Sequence, residues 1–315
     1  MTTPGSPHPG IATTGAAPTT LATERLQRGT RGDVVLLHGI LGSRRNWRTF
    51  GKRLADARPD LGVVTVDLRN HGDSHGMAPP HDLRTCALDL WELCGGELEP
   101  RVLVGHSYGG KVVLEALAMA ESGATGAGPL PAQAWVLDAA PGAASDDAGS
   151  TAAAARDVFG VMDALATLPM PLPTRQALVA GLEAQGLGPG LVQWMTTNLR
   201  NAAAGGYELR FDLEAARAMM QSYLRTDHWP VLERPPAGVA LHFVRGGRSE
   251  RWTQTDIGRL LRISEGFGPG GERGARLHTL DQAGHWLHAD DPDGLLRVLV
   301  NGLGEGAMAP MGAEP

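Results

Sequence analysis

The stretch Gly105-His106-Ser107-Tyr108-Gly109-Gly110 decides the fold, because it directly follows the segment Arg101–Val104, whose last three residues are apolar. That run predicts a buried strand, and the segment Gly109–Ala120 predicts a helix. Together they place a G-x-S-x-G pattern on a sharp strand-to-helix turn, where residues without Cβ atoms let the chain approach closely. Such a turn holds the serine in a strained conformation at a helix N-terminus, which favours developing negative charge. We therefore predict that Ser107 is a nucleophile.

Outward from this turn, short apolar runs alternate with amphipathic segments, which is typical of an α/β protein with a parallel sheet. The runs are nearly continuous in apolar residues, as expected of strands that are covered on both faces. Further strands are predicted at Val34–Leu37, Val63–Val66, Ala134–Leu137, Gly238–Val244 and Ala275–Leu280. Further helices are predicted at Arg45–Ala57, Leu83–Leu93 and Pro292–Leu303. The expected architecture is a mostly parallel, twisted sheet flanked by helices.

The alternation stops after Asp138. Between residues 141 and 236 no buried strand is predicted, and Ala-rich or amphipathic stretches are separated by Pro and Gly. We interpret residues 141–236 as a helical cap inserted into a core formed by residues 21–140 and 237–303. Residues 1–20 are uncharged and are interpreted as a disordered leader, and residues 304–315 as a flexible tail.

Composition excludes several classes of partner. The chain has 315 residues and a formal net charge of -6, without a basic stripe of the kind that nucleic-acid binding requires. No stretch reaches the ~20 apolar residues of a membrane span. The leader lacks the basic start and apolar run of a secretory signal, so we expect a cytoplasmic protein. Import into an organelle is the alternative, although transit peptides are rich in Arg and the first Arg here is Arg25. Composition does not fix the oligomeric state.

Cysteine and histidine spacing gives no sign of a disulfide, a metal or a cofactor. Cys86 and Cys94 lie eight residues apart in a predicted helix, a rise of about 12 Å that is too long for a disulfide. The histidines match no metal-binding pattern, so no metal site is assigned. No glycine-rich phosphate loop follows a strand, and no cofactor is predicted.

A second motif, Leu36-Leu37-His38-Gly39-Ile40-Leu41-Gly42, ends the first of these strands. A turn there can aim a backbone N–H group at the nucleophile. We assign the two donors of an oxyanion hole to the amides of Ile40 and Tyr108. For His38 we favour a structural role that shapes this loop, with the role of base as the alternative.

The base is assigned to His285, in Ala283-Gly284-His285-Trp286 after the last predicted strand. An imidazole can take the serine proton and return it to the leaving group. Two positions can supply the supporting acid. We favour Asp138, at the end of its strand. The alternative is Glu250, beside Ser249, with Asp256 further along.

One further loop, Val66–Ser74, follows a strand on the same side of the predicted sheet. Its Asp67 and Arg69 are interpreted as structural, as a pair that orients the loop, rather than as catalytic groups.

Residues 33–303 resemble the α/β-hydrolase superfamily, and within it the esterase branch that includes YbfF and the abhydrolase domain-containing protein 11. Four motifs carry the resemblance: His38-Gly39-Ile40-Leu41-Gly42-Ser43, Asp67-Leu68-Arg69-Asn70-His71-Gly72, Gly105–Lys111 and Ala283–Ala289. Three stretches, Trp194–Leu199, Arg210–Leu213 and Gly246–Ser249, also look like this branch. The sequence departs from it at Tyr108, where the branch usually has Met, at Ala139-Ala140, and in the Gly-rich insert Gly123–Gly128.

The resemblance implies a serine hydrolase with a Ser–Asp–His triad and a helical cap. Its acid follows the strand that the family counts as the sixth, which favours Asp138. It also implies a small carboxylic ester or thioester as substrate, cleaved through an acyl-enzyme. Contacts with substrate are expected from His38, Leu41, His106, Trp194 and Trp286, and a cap pocket from Trp194, Met195 and Met219.

Two other functions are compatible with this fold. The first is a C–C bond hydrolase or lyase that keeps the same triad. The second is a ligand-binding module without turnover, against which the intact Ser107 and His285 argue.

Overall fold

A computed structural model of the chain describes residues 20–96, 98–123, 130–144, 150–266 and 274–304. Almost all of the predicted leader and tail, and most of the insert Gly123–Gly128, lie outside these ranges. Within them the chain forms a β-sheet with helices on both faces.

The central sheet has seven strands in the order β1-β3-β2-β4-β5-β8-β9. Strand β1 pairs with β3 in antiparallel orientation, and the other pairings in this sheet are parallel. These strands are β1 (Thr23–Gln27), β2 (Asp33–Leu37), β3 (Gly62–Val66), β4 (Pro100–His106), β5 (Gln133–Leu137), β8 (Ala240–Gly246) and β9 (Ala275–Leu280). Asp138 and the predicted insertion follow β5, which is the fifth strand along the described chain.

Helices cover both faces of the sheet and build the insertion. They are α1 (Arg48–Ala57), α2 (Leu83–Gly96), α3 (Tyr108–Glu121), α4 (Ser150–Ala166), α5 (Arg175–Glu183), α6 (Pro189–Thr197), α7 (Leu213–Arg225), α8 (Trp229–Glu233), α9 (Gln254–Glu265), α10 (Leu287–Asp290) and α11 (Pro292–Gly304). A short 3-10 helix, Arg44–Trp47, precedes α1. The single helix predicted at Arg45–Ala57 is therefore formed by two consecutive elements, this 3-10 helix and α1.

The sheet separates two hydrophobic cores, because its central strands are buried on both faces. Within β2, Val35 and Leu37 belong to one core, whereas Val34 and Leu36 belong to the other. This alternation follows from the two-residue period of a strand. The predicted α/β fold, with a mostly parallel sheet flanked by helices, is confirmed.

The segment between β5 and β8 is mainly helical, with α4 to α8, but it also contains a short antiparallel hairpin. The hairpin joins β6 (Leu199–Asn201) to β7 (Tyr207–Leu209). The hairpin agrees with the expectation that this segment has no buried strand, since apart from Leu199 its strand residues are only partly buried or exposed. Strands of three residues are too short to give a hydrophobic period, so the pattern did not reveal them.

A buried lysine connects the inserted segment to the core. The Lys111 ammonium on α3 donates hydrogen bonds to the carbonyl oxygens of Gly142, Tyr223 and Thr226, at 2.7, 2.8 and 2.9 Å. These carbonyls belong to the start of the insertion and to the end of α7, so one side chain fixes both to α3.

Two of the motifs behind the family resemblance meet in space. His71 forms an isolated β-bridge with Phe211, and the Asn70 carbonyl accepts a hydrogen bond from the Asp212 N–H. The loop after β3 and the insertion are therefore joined through main-chain contacts. No helix in the described ranges is long and apolar enough to span a membrane.

Candidate active site

Ser107 lies at the turn between β4 and α3, with φ 53° and ψ -117°. A positive φ at a non-glycine residue is strained, and it is maintained here because the surrounding chain is closely packed. A Cβ atom at Gly105 would lie 2.2 Å from the Gly109 carbonyl oxygen, so only glycine fits at that crossing. The turn leaves the Ser107 side chain partly exposed.

The backbone N–H groups of Ile40 and Tyr108 donate no hydrogen bond to any acceptor among the described residues. Tyr108 begins α3, where the first N–H groups have no partner within the helix. Ile40 precedes Leu41, whose φ is 60° and whose N–H donates to Nε2 of His71 at 3.2 Å. Both amides are therefore available to an external acceptor.

Asp138 is buried directly after β5, at a φ of 47°. One carboxylate oxygen, Oδ1, accepts hydrogen bonds from the Gly246 N–H at 3.0 Å and from Nε1 of Trp252 at 2.9 Å. The other oxygen, Oδ2, accepts from the Ser249 hydroxyl and lies 2.8 Å from Nδ1 of His285. The two oxygens thus have four partners, as a buried carboxylate requires.

The alternative acids do not reach this imidazole. Glu250 is exposed on the surface. Asp256 closes a capping box at the start of α9, where its carboxylate accepts from the Thr253 hydroxyl at 2.7 Å. The contact between Asp138 and His285 fixes the imidazole with Nδ1 as donor and leaves Nε2 for proton transfer.

Ser107 and His285 line the same cavity. Within the described part of the chain, however, no hydrogen bond joins the Ser107 hydroxyl to the His285 ring. Such contacts are often long in the absence of substrate and shorten when it binds.

His106 supports the backbone at His285 rather than contributing a free polar group. Its Nε2 donates to the His285 carbonyl oxygen at 2.8 Å, and the two rings lie 4.7 Å apart. Burial lowers the pKa of His106 well below its usual value, and the neighbouring charges of His285 and His288 lower it further. His106 also lines the cavity, so it offers a neutral ring surface there.

His38 shapes the loop, in agreement with the favoured sequence interpretation. Its Nε2 accepts the Leu68 N–H at 3.0 Å, and its Nδ1 donates to the Gly39 carbonyl at 2.7 Å. Because both ring nitrogens are occupied and burial lowers its pKa to about 4, His38 is not available as a base. Its ring borders the cavity.

The cavity has a volume of about 280 Å³. Leu41, Trp194 and Trp286 line it, as the sequence analysis expected of substrate contacts. The rings of Trp194 and Trp286 lie 4.6 Å apart, so the insertion contacts the core beside His285. The prediction that Met195 and Met219 line the cap pocket is wrong, because neither is among the described residues that line the cavity. Both are packed in the hydrophobic core, and Met220 borders the cavity instead.

The prediction that Asp67 and Arg69 pair with each other is also wrong. The Asp67 carboxylate accepts from the Arg44 side chain and from the Arg44 and Asp73 backbone amides. Arg69 instead pairs with Asp89 on α2, at 2.7 Å. Both residues do orient the loop, but each does so through a partner that is distant in sequence.

For several residues around the site, no sequence pattern indicates that they lie there. Trp252 and Arg251 lie in the loop after β8, and Tyr223 lies on α7. Their contacts depend on where two distant loops meet, which local periodicity does not encode. Ser249 had a partial signal, since it follows the Gly-Gly pair at the second position where an acid can stand.

Cys86 and Cys94 are both free and buried, which confirms that they form no disulfide. Burial raises the pKa of each thiol to about 12. Among the residues the structure describes, no group of three or more His, Cys, Asp or Glu side chains has the arrangement of a metal site.

Comparison with known proteins agrees with this geometry. The model of the alpha/beta hydrolase family matches residues 34–298. The chain is 27% identical over 274 residues to the sn-1-specific diacylglycerol lipase ABHD11 of Mus musculus, covering 86% of this chain and 80% of the relative. It is 25% identical over 267 residues to the esterase YbfF of Escherichia coli K12, covering 84% and 91%.

Solved structures share the fold at lower sequence identity. A marine microorganism esterase superimposes with a TM-score of 0.72 at 23% identity, covering 90% of this chain and 98% of its own. The expected resemblance to the esterase branch is thus confirmed by sequence relatives, and the architecture by this structure. The chain belongs to the alpha/beta hydrolase family.

Proposed function

We propose that this protein is a carboxylic ester hydrolase that cleaves a small ester or thioester through an acyl-enzyme on Ser107. The observation that carries the proposal is the contact of 2.8 Å between Nδ1 of His285 and Oδ2 of Asp138 at the cavity that Ser107 lines. An imidazole oriented in this way beside a strained serine is the arrangement that nucleophilic catalysis requires. The lipase and esterase among its relatives support the same substrate class.

In the first half of the reaction, Ser107 Oγ attacks the ester carbonyl carbon while His285 Nε2 takes the hydroxyl proton. The carbonyl oxygen becomes an oxyanion, which accepts hydrogen bonds from the Ile40 and Tyr108 amides. The bond to the leaving group then breaks, and the imidazolium returns its proton to the departing alcohol or thiol. Asp138 keeps the imidazole in the productive tautomer.

In the second half, a water molecule attacks the acyl-enzyme. His285 accepts a proton from this water, and the second tetrahedral intermediate uses the same two amides. Collapse releases the carboxylic acid, and the proton on His285 restores the Ser107 hydroxyl. Electrons and protons balance without any additional reactant.

We propose further that residues 141–236 act as a cap that limits the size of the acyl group. Trp194 on α6 and Met220 on α7 line the cavity from this segment. Substrate contacts at Leu41, His106 and Trp286 come from the core. The rings of His38 and Trp286 border the cavity, and neither takes part in proton transfer.

The test is turnover of 4-nitrophenyl esters and thioesters of increasing chain length. Ser107→Ala is compared with Ser122→Ala, because Ser122 is an exposed serine at the end of α3 that lies outside the cavity. We expect Ser107→Ala to lose at least about a thousandfold in kcat, whereas Ser122→Ala retains turnover. Equal turnover by the wild type and Ser107→Ala would refute the proposal.

A further inference from the structure

The cavity that contains Ser107 has one cationic wall residue. Among its described lining residues, Arg251 is the only Arg or Lys, and Asp157 on α4 is the only carboxylate. The other groups that surround the space are mainly aromatic, aliphatic or neutral polar side chains. An arginine in such a setting requires an explanation, because a charge next to apolar walls is unfavourable unless it is paired.

The Arg251 guanidinium has no partner within the described ranges. To the residues that the structure describes, its side chain donates no hydrogen bond, and it forms no ion pair with Asp157 or any other described acid. Neighbouring arginines differ: Arg248 donates to the Gln282 side-chain oxygen, and Arg259 pairs with Glu233. Both residues line the cavity, where Asp157 is exposed and Arg251 is half-buried.

The backbone that carries Arg251 is held in place by the site itself. Its N–H donates to the Ser249 hydroxyl oxygen at 3.3 Å, and that hydroxyl donates to Asp138. On the other side, Trp252 donates to Asp138 at 2.9 Å. The guanidinium therefore projects from a loop that the same carboxylate fixes relative to His285.

The charge of Arg251 acts on two residues that line the cavity, Tyr223 and His106. Burial raises the pKa of Tyr223 well above its usual value, and the positive charge of Arg251 acts against this rise. Burial also lowers the pKa of His106. The positive charge of Arg251 lowers this pKa further, by a smaller amount. Tyr223 lines the cavity, and its hydroxyl has no hydrogen-bond partner in the described part of the chain. A second donor is thus available near the cation.

We infer that Arg251 selects substrates in which the ester also carries a carboxylate, and this inference rests on the proposed function. A guanidinium binds a carboxylate through two parallel hydrogen bonds, which gives both affinity and orientation. With Arg251 holding that carboxylate, the reacting carbonyl is presented to Ser107 in a defined direction. The negative charge of the substrate supplies the partner that the protein does not provide.

The carboxylate can belong to the acyl part or to the leaving group, and two pairs of substrates separate these cases. The first pair is the 4-nitrophenyl monoester of adipic acid and its neutral terminal amide. The second pair is 4-carboxyphenyl acetate and 4-carbamoylphenyl acetate. The two esters of a pair also differ somewhat in intrinsic reactivity, but this difference is the same for every enzyme variant. A change between variants in the ratio of kcat/KM for anionic over neutral ester therefore measures charge selection.

The ratio is measured for the wild type, Arg251→Gln, Arg251→Lys and the control Arg248→Gln. We expect it to fall at least about tenfold in Arg251→Gln for one pair, to fall less in Arg251→Lys, and to remain unchanged in Arg248→Gln. The pair that responds shows on which side of the ester bond the carboxylate lies.

A ratio that is the same in the wild type and Arg251→Gln for both pairs overturns the inference, while the proposed function stands if Ser107→Ala abolishes turnover of the neutral esters. Turnover of the neutral esters that does not depend on Ser107 overturns both.

Discussion

Nδ1 of His285 lies 2.8 Å from Oδ2 of Asp138, although the two residues are 147 positions apart in the chain. The contact forms because Asp138 directly follows β5 and His285 follows β9, with β8 paired between these two strands. Parallel strands bring their carboxyl ends to one edge of a sheet, so residues that follow them meet there. The proposed chemistry of this chain depends on the residues that meet at that edge of the sheet.

Asp138→Asn removes the negative charge but keeps the shape of the side chain. We expect kcat/KM for a 4-nitrophenyl ester to fall by about a thousandfold or more, because the amide stabilises the wrong imidazole tautomer. Steady-state kinetics measures the loss, and Glu250→Gln serves as the control because Glu250 is exposed. If Glu250→Gln has the larger effect, the acid is assigned incorrectly.

Trp252→Phe removes one of the four donors to the Asp138 carboxylate. We expect it to lower the free energy of unfolding by about 1–3 kcal/mol and to lower kcat as well, because the carboxylate is less firmly positioned. Trp91→Phe is the matched control, since Nε1 of Trp91 donates to the Ala116 carbonyl away from the cavity. Urea unfolding and kinetics are measured for both. Equal kcat values in the two variants would show that Trp252 has no positioning role.

Gly105→Ala and Gly160→Ala should have opposite effects on stability. A Cβ at Gly105 would lie 2.2 Å from the Gly109 carbonyl oxygen, so the turn must distort, and we expect a loss of at least about 3 kcal/mol. Gly160 is within α4 with open space around it, and alanine there should stabilise by about 0.5–1 kcal/mol. Thermal unfolding compares the two, and a stable Gly105→Ala protein would contradict the close crossing.

Acid should destabilise the protein below pH 6.5. Burial lowers the pKa of His38 to about 4, of His71 to about 3 and of His288 to about 4. Because these values lie below those of the unfolded chain, the unfolded state binds more protons as the pH falls. Each such histidine should then reduce the free energy of unfolding by about 1.4 kcal/mol per pH unit until its folded-state pKa is reached.

Urea unfolding at about pH 7.5 and about pH 5.5 measures this effect, and the stability at the lower pH should be smaller by several kcal/mol. Equal stability at the two pH values would mean that these histidines are not held neutral in the folded protein.

The sequence predicted the elements of the sheet core better than their contacts. Strands such as Asp33–Leu37 are buried on both faces, so hydrophobicity alone reveals them. Strand β1 was missed because its residues, Thr23–Gln27, are only partly buried and largely polar. Helix α9 was missed as well, although Thr253 and Asp256 form a capping box at its start, a signal that was present in the sequence.

Around the candidate site, the residues within short motifs could be assigned from the sequence, whereas the residues between motifs could not. Ser107, His285 and Asp138 each follow a predicted strand, and the order of strands brings them to one edge of the sheet. The sequence places Met195 and Met219 on helices of the insertion, but which face of each helix lines the cavity depends on packing. Arg251 and Trp252 are positioned by hydrogen bonds to Asp138 or its partner, which no local pattern encodes.

The most direct measurement of the central claim is the site of covalent labelling by a fluorophosphonate, which phosphorylates activated serines. After digestion, mass spectrometry identifies the modified residue in the full-length protein. The account predicts one adduct per chain on Ser107, with labelling strongly slowed in Asp138→Asn and in His285→Gln. An adduct on another serine, or unchanged labelling in Ser107→Ala, would contradict it.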